Sequence, residues 1–487
     1  SREIEGSRAT VPPGEGANTR EAVPDAPATS GRWRGGRAEP RFERVAADKL
    51  YNALMRRRAG GEETLPATAR PHIPANGLRL VSANALQSSG DQVVNASTVL
   101  PWLFTVLGVP PALTGLLVPI RESGSMLPQV FLTPLVLRVR RRGLVFIAGA
   151  LVQAVAAGAI AVVAAVGRGL GAGIAILAAL GVFALGRSLC SISSKDVQGR
   201  TVPKGERGQI NGLATTASGL VAITVGVGVR LLGGGELSAG QLAWLLAGGA
   251  ALWLGAAAVY LGIREPVEED PPGDGDAESE GSGPGWAAQL VTLLRDDRPF
   301  RQFVIVRALL LVSALSPPLV VTLSVQSGAG TLSGLGGFII ASGLSALIGG
   351  PVFGRLADRS SRRLMAWGAA LASAVIVALV VVTLLPGFDG ATWVGAALFV
   401  TAYFLLRLVH TGVRVGRKTY VVDMAEGDQR TTYVAVSNSA MGVILLLAGA
   451  VSSLLSVWGI HWGLLFLAAL GLVGVVAAGR LPEVSRG

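Results

Sequence analysis

The sequence predicts an all-α polytopic membrane protein, built as two six-helix bundles related by a pseudo-two-fold axis. Three observations predict it. The composition suits a protein surrounded by lipid: 51% hydrophobic residues, 15% charged residues and a mean hydropathy of +0.54. Soluble domains carry about 25% charged residues. Apolar runs follow one another from about residue 80, each long enough to cross ~30 Å of hydrocarbon. The second half of the chain then repeats the first at a nearly fixed offset. The 66 glycines fit close helix packing in a bilayer.

Residues 1–79 form a polar N-terminal tail rich in Pro, Gly and Arg. It has no apolar h-region of a secretory signal, and it is expected to be largely disordered. One stretch departs from this, "RFERVAADKLYNALMRRR" (41–58). Its Val45, Leu50 and Leu54 with flanking basic residues suit a short amphipathic helix on a membrane surface; a fluctuating helix in a tail is the alternative.

The N-terminal bundle (80–263) is expected to hold spans at 84–108, 111–137, 144–166, 172–193, 210–232 and 241–262. The acidic, Pro/Gly-rich "EEDPPGDGDAESEGSGPG" (268–285) marks a flexible linker within 264–300, and "WAAQLVTLL" (286–294) resumes an amphipathic pattern. The C-terminal bundle (301–480) is expected to hold spans at 302–323, 332–354, 364–385, 391–413, 433–457 and 462–479. Residues 481–487 form the C-terminus.

Basic residues set the orientation. The connections after spans two, four, six, eight and ten carry four each. These are Arg138, Arg140, Arg141 and Arg142; Lys195, Arg200, Lys204 and Arg207; Arg264, Arg295, Arg298 and Arg301; Arg355, Arg359, Arg362 and Arg363; and Arg414, Arg417, Lys418 and Arg430. The opposite connections hold only Arg168 and Arg230. Both termini are therefore expected in the cytoplasm, with the protein in a bacterial-type inner (plasma) membrane. The same distribution argues against nucleic acid as a partner, because the charge sits at span ends and not along one polar face.

Moved back by about 221 residues, "GRLADRSSRR" (354–363) falls on "TPLVLRVRRR" (133–142). "YFLLR" (403–407) falls on "FALGR" (183–187), which superposes Arg407 on Arg187, and "EGDQR" (426–430) falls near "KGERG" (204–208). Parallel repeats of six spans suggest a site between the halves.

"GRLADRSSRR" resembles the loop signature of the major facilitator superfamily, through Gly354, Leu356, Ala357, Asp358, Arg359, Arg362 and Arg363. The family usually shows its best copy between spans two and three. Here that copy has Thr133 and Leu137 in place of the Gly and the Asp, and the good copy lies between spans eight and nine. The resemblance covers about residues 80–480. It implies a transporter working by alternating access, in which Gly354, Asp358, Arg359, Arg362 and Arg363 act as a gating latch. A plain helix-connecting turn is the simpler reading of the same residues.

"LTGLLVPIRESGSMLPQVFL" (113–132) places Arg121 and Glu122 near the middle of the second span. A charge at that depth costs roughly 2.5–3.5 kcal/mol. In the first span, Asn84, Ser88, Asp91, Asn95 and Thr98 are spaced 4, 3, 4 and 3. On a continuous helix they share one face, which implies a polar cavity or a bundle interior. Asp91 or Glu122 is the expected protonatable coupling residue, with Arg121 tuning it or binding an anionic group; a fixed Asp91–Arg121 pair is the structural alternative.

Tyr403, Arg407 and His410 share a face of the tenth span and are candidate cavity residues. Arg187, Ser191 and Ser194 share a face of the fourth, and snorkelling to the interface competes for both arginines. Arg307 is expected to snorkel. "SPP" (316–318) is expected to break or kink the seventh span.

Several leads close. "GRGLGAG" (167–173) has no strand before it and joins two spans. The Asn95-Ala96-Ser97 glycosylation triplet falls inside a span. Cys190, alone, makes no disulfide within the chain and is expected to be inert packing. No metal-ligand spacing and no Ser/His/Asp arrangement is evident, so neither an enzyme nor a metal or other cofactor is expected. Drug antiporters often carry a Gly-Pro motif in the fifth span, and "SGLVAITVGVGVRLLGGG" (218–235) lacks the proline.

The expected function is therefore secondary active transport of a small-molecule substrate, coupled to protons, by a monomer among membrane lipids. Two alternatives stay open. One is a transporter-derived sensor or assembly factor working through its tail. The other is a lipid flippase of the same fold.

Overall fold

A computed structural model describes residues 41–54, 65–203, 206–232, 238–266, 286–328, 334–424 and 429–482. Side chains at some positions within these stretches lie outside the description, those of Gly354, Asp358 and Arg359 among them. Every regular element among the described residues is a helix.

The first half comprises α1 (Arg41–Leu54), α2 (Ile73–Val93), α3 (Val99–Val106), α4 (Leu117–Met126), α5 (Gln129–Leu137), α6 (Arg142–Val166), α7 (Gly169–Thr201), α8 (Arg207–Leu232) and α9 (Ala239–Leu261). The second half comprises α10 (Trp286–Asp296), α11 (Arg298–Leu309), α12 (Val312–Gln326), α13 (Leu335–Thr383), α14 (Trp393–Met424), α15 (Gln429–Leu455) and α16 (Ile460–Gly479). Among the described residues nine helical segments are long and apolar enough to cross a membrane, and Leu335–Gly349 is a shorter apolar helix. The two broken pairs α2/α3 and α4/α5 bring the segments to the twelve expected.

The first span begins at Ile73, before the expected start at 84. It also breaks at residues 94–98. Asn95 explains the break: its Oδ1 accepts from the backbone N–H of Ser97 at 2.8 Å, a local bond that competes with the helix ladder. The expectation of one continuous polar face from Asn84 to Thr98 therefore fails beyond Asp91.

The seventh span breaks at Leu310–Leu311, and not at "SPP". Pro317 and Pro318 instead sit inside α12, in its second turn, where Ser316 Oγ donates to Val312 O at 2.7 Å. Spans eight and nine run together as α13, interrupted only at Ser360, whose backbone is extended (φ −168°, ψ 99°).

Within the first half, α6 packs on α7 and α9, and α2 on α8 and α9. Glu265 caps the start of α6, accepting from the backbone N–H of Arg142 at 3.0 Å and of Gly143 at 2.6 Å. Burial pushes its carboxyl above the usual carboxylate range, although these two bonds act the other way. The stretch at 41–58 is described only as far as Leu54, and there it is a helix docked on the bundle. Tyr51 is fully buried and donates to Glu206 Oε2 at 2.5 Å.

The halves meet where α8 packs on α13 and where α4 packs on α15. A Cβ at Gly336 would lie 2.5 Å from the Gly226 carbonyl, and one at Gly226 would lie 2.9 Å from the Gly336 carbonyl. Only glycine allows this backbone approach, the small-residue packing typical of helices in lipid.

Candidate functional site

A cavity of 390 Å³ lies between the halves. Segments α2, α4, α7 and α8 line it from one side, and α12, α13, α14 and α15 from the other. It runs from mid-span towards the end of the bundle that carries the arginine-rich connections.

The opposite end is sealed across the halves. Ser453 Oγ donates to Ala112 O, Thr322 Oγ1 donates to Thr114 Oγ1 at 3.4 Å, and a Cβ at Gly449 would overlap the Pro119 ring. Nearer mid-span, Ser123 Oγ donates to Gly442 O at 2.7 Å.

Three charges from three helices meet on the first-half wall. Arg121 Nη2 donates to Asp91 Oδ1 at 2.9 Å, and Arg187 donates to Asp91 Oδ2. The side chains of Asp91, Arg121 and Arg187 are 18%, 11% and 30% exposed. The guanidinium of Arg121 also lies 5.9 Å from the centre of the Phe183 ring, within cation–π range. Mutual pairing is how ionised groups are held inside a membrane. Glu122 is placed differently. Its side chain is 37% exposed to the cavity, and its ion-pair contact is Arg121 Nη1 at 4.0 Å.

The second-half wall is basic. Tyr403, Arg407, His410, Arg414 and Arg417 are spaced 4, 3, 4 and 3 along α14, so they follow one face. The last four line the cavity. Arg407 Nη2 lies 3.5 Å from Ser342 Oγ, and His410 Nδ1 lies 3.4 Å from Ser313 Oγ. Among the described residues, no carboxylate makes an ion pair with Arg407, Arg414 or Arg417.

The sequence pattern of the Major Facilitator Superfamily matches residues 81–401 and 331–486, which together take in most of the chain. The chain belongs to the major facilitator superfamily. A search of the curated proteins gives no match. Solved transporters share the fold. A POT family transporter in complex with 5-aminolevulinic acid aligns with TM-score 0.66 at 11% identity, over 85% of this chain and 98% of that one. The inward-open xylose transporter XylE from E. coli aligns with TM-score 0.58 at 12% identity, over 84% and 97%. A mutant of the nucleoside transporter NupG aligns with TM-score 0.61 at 13% identity, over 83% and 99%. At these identities the likeness shows the fold alone. Superfamily membership makes the protein an integral membrane transporter and not an enzyme.

In this superfamily member Asp91, Asn95, Arg121, Glu122, Arg407 and His410 come together around one cavity. Tyr403 does not join them. It is fully buried one turn away, edge-on to Phe338 at 5.1 Å between ring centres. Of the latch residues, Gly354, Asp358 and Arg359 have side chains outside the described residues. Arg362 Nη1 donates to Leu481 O at 2.8 Å, and the Arg363 backbone N–H donates to Ser360 Oγ at 3.2 Å.

Arg307 is buried and does not snorkel: it donates to Ser437 Oγ at 2.8 Å and to Asn438 Oδ1 at 2.9 Å. Cys190 is buried, with Gln153 Nε2 at 3.2 Å from its sulfur.

Sequence reasoning left Arg187, Arg414 and Arg417 out of the site. The superposition of Arg187 on Arg407 was the available signal for the first. The α14 stripe was the signal for the other two, had the helix been extended past 413.

A second, apolar groove of 480 Å³ is lined by residues such as Arg230, Trp393 and Phe404, and shares no lining residue with the charged cavity.

Proposed function

We propose that this secondary transporter moves a small solute by alternating access and couples that movement to protons through Glu122. The cavity is the observation that carries the reading. It lies between the halves, is sealed at one end, and holds a carboxylate that is not committed to a fixed pair. Asp91 is held by two guanidiniums, so its protonation would break two charge-assisted bonds. Glu122 stands in the cavity among Arg121, Arg187, Arg414 and Arg417, with only the 4.0 Å contact to Arg121 as an ion pair, where a proton or a substrate can reach it. Of the two acids offered by the sequence, Glu122 is the coupling group and Asp91 the anchor.

On the distribution of basic residues, both termini are cytoplasmic, in a bacterial-type inner membrane. The cavity then faces inward. The alternate state would form when the halves rock, parting the Ser453–Ala112 and Gly449–Pro119 contacts and closing the arginine-rich end. A lipid-handling role would use a lateral opening, and the groove at Trp393 is separate from the charged cavity.

The test is transport by proteoliposomes holding a trapped pH dye, comparing wild type with Glu122→Gln. The expected result is proton movement driven by a pool of candidate solutes in the wild type and lost in the variant. Proton movement unchanged in Glu122→Gln would remove Glu122 from the coupling role. Solute flux without any pH signal in the wild type would remove proton coupling itself.

A further inference from the structure

We infer that the transported solute is a small organic anion with at least two negative charges, a polycarboxylate or a phosphate ester, seated on Arg407, Arg414 and Arg417. The inference rests on the transport reading above and adds the class of substrate.

Charge accounting leads there. The cavity lining carries five arginines, Arg121, Arg187, Arg407, Arg414 and Arg417, against two acids, Asp91 and Glu122. Asp91 spends both of its oxygens on Arg121 and Arg187. The three arginines of α14 are left with no carboxylate partner among the described residues. Glu122, the remaining acid, leaves that wall with an excess of positive charge.

Arginines that serve only to fix orientation need to reach lipid headgroups, and need not line a cavity. These three do line it, on the face that looks across at α2 and α4. Arg407 is half-buried near mid-span, Arg417 is half-buried two to three turns further along, and Arg414 between them is exposed. A guanidinium presents a planar fork of donors that matches carboxylate and phosphate oxygens. Ser342 and Thr411 add hydroxyls beside Arg407. The volume of 390 Å³ lies within the range of small-molecule pockets. Clefts lined by one sign of charge also concentrate the opposite ion at their mouths.

The experiment leaves the substrate's identity open and reads its charge. Proteoliposomes holding the full chain are bathed in a uniformly 13C-labelled metabolite extract, and their contents are compared by mass spectrometry with protein-free vesicles. Wild type is expected to accumulate one or a few multiply charged anions. The pair Arg414→Gln/Arg417→Gln is expected to lower that accumulation by more than about tenfold. The pair Arg414→Lys/Arg417→Lys, which keeps the charge and guards against a folding artefact, is expected to retain the anion at reduced rate.

A neutral or cationic solute accumulated by wild type would overturn the substrate class and leave the transporter reading intact. An anion carried equally well by the Gln pair would overturn its seating on Arg414 and Arg417. No solute accumulated by wild type would count against alternating-access transport itself, and the inference would fall with it.

Discussion

In the first half, Arg121 and Arg187 converge on Asp91 and form a closed group of charges drawn from α2, α4 and α7. In the second half, Arg407 stands where the internal repeat superposes it on Arg187, yet among the described residues no carboxylate makes an ion pair with it. The same offset of 220 to 222 carries Asp91 onto Leu311, Val312 and Ser313, none of them acidic. The second copy of the repeat thus carries the arginine without an acid at the position of Asp91. One wall of the cavity is thereby a clamp of paired charges. The other is a row of three arginines faced by Glu122 alone, an excess of positive charge that the proposed anionic solute would balance.

Substitutions in the two halves separate stability from transport. Asp91→Asn has the largest expected effect on stability. It leaves Arg121 and Arg187, on two spans, without the carboxylate that pairs them, a loss of about 3–5 kcal/mol. Thermal unfolding of the purified protein would show a large drop, partly recovered by adding Arg187→Gln. An unchanged unfolding temperature would mean that the pair holds nothing together.

Arg307→Gln comes next. It removes a buried guanidinium bonded to Ser437 and Asn438, joining α11 to α15. The expected loss is about 1–3 kcal/mol. A neutral result would show that Arg307 is a surface arginine after all.

Arg407→Gln should change stability least, by about 0.5 kcal/mol or less in either direction, because it breaks no ion pair. Its effect should fall on transport. A stability loss comparable to that of Asp91→Asn would erase the distinction between the walls.

Much of this was legible in the sequence, for identifiable reasons. The twelve segments follow from length and hydropathy, and the alternation of basic connections checks their number. Asn84, Ser88 and Asp91 were legible as a stripe because α2 is helical through them. Asn95 was placed at the cavity for a reason that does not hold, since its own side chain ends the helix there. Asn, Ser and Thr in succession compete with the backbone, and that signal lay in residues 95–98.

The break at Leu310–Leu311 has no such signal: two leucines are good helix formers, and the prolines that suggested a break lie further on. Arg414 and Arg417 were hidden by success elsewhere. Both lie at the end of the tenth span, where an arginine also serves as a topology signal. Arg307 was hidden because its partners, Ser437 and Asn438, lie on a distant segment.

Whether α14 presents an excess of positive charge to the cavity can be measured with no knowledge of the substrate. Thr411 lines the cavity beside Arg414, and the one native cysteine, Cys190, is buried and replaceable by alanine. In that background, Thr411→Cys is labelled with anionic and with cationic thiosulfonates of similar size, each rate divided by its rate with a free thiol. The anionic reagent is expected to be favoured by about tenfold, a local potential of roughly 1 kT per unit charge for reagents of opposite sign, and Arg414→Gln/Arg417→Gln is expected to abolish the preference. Equal rates for the two reagents, or a preference that survives loss of both arginines, would contradict it.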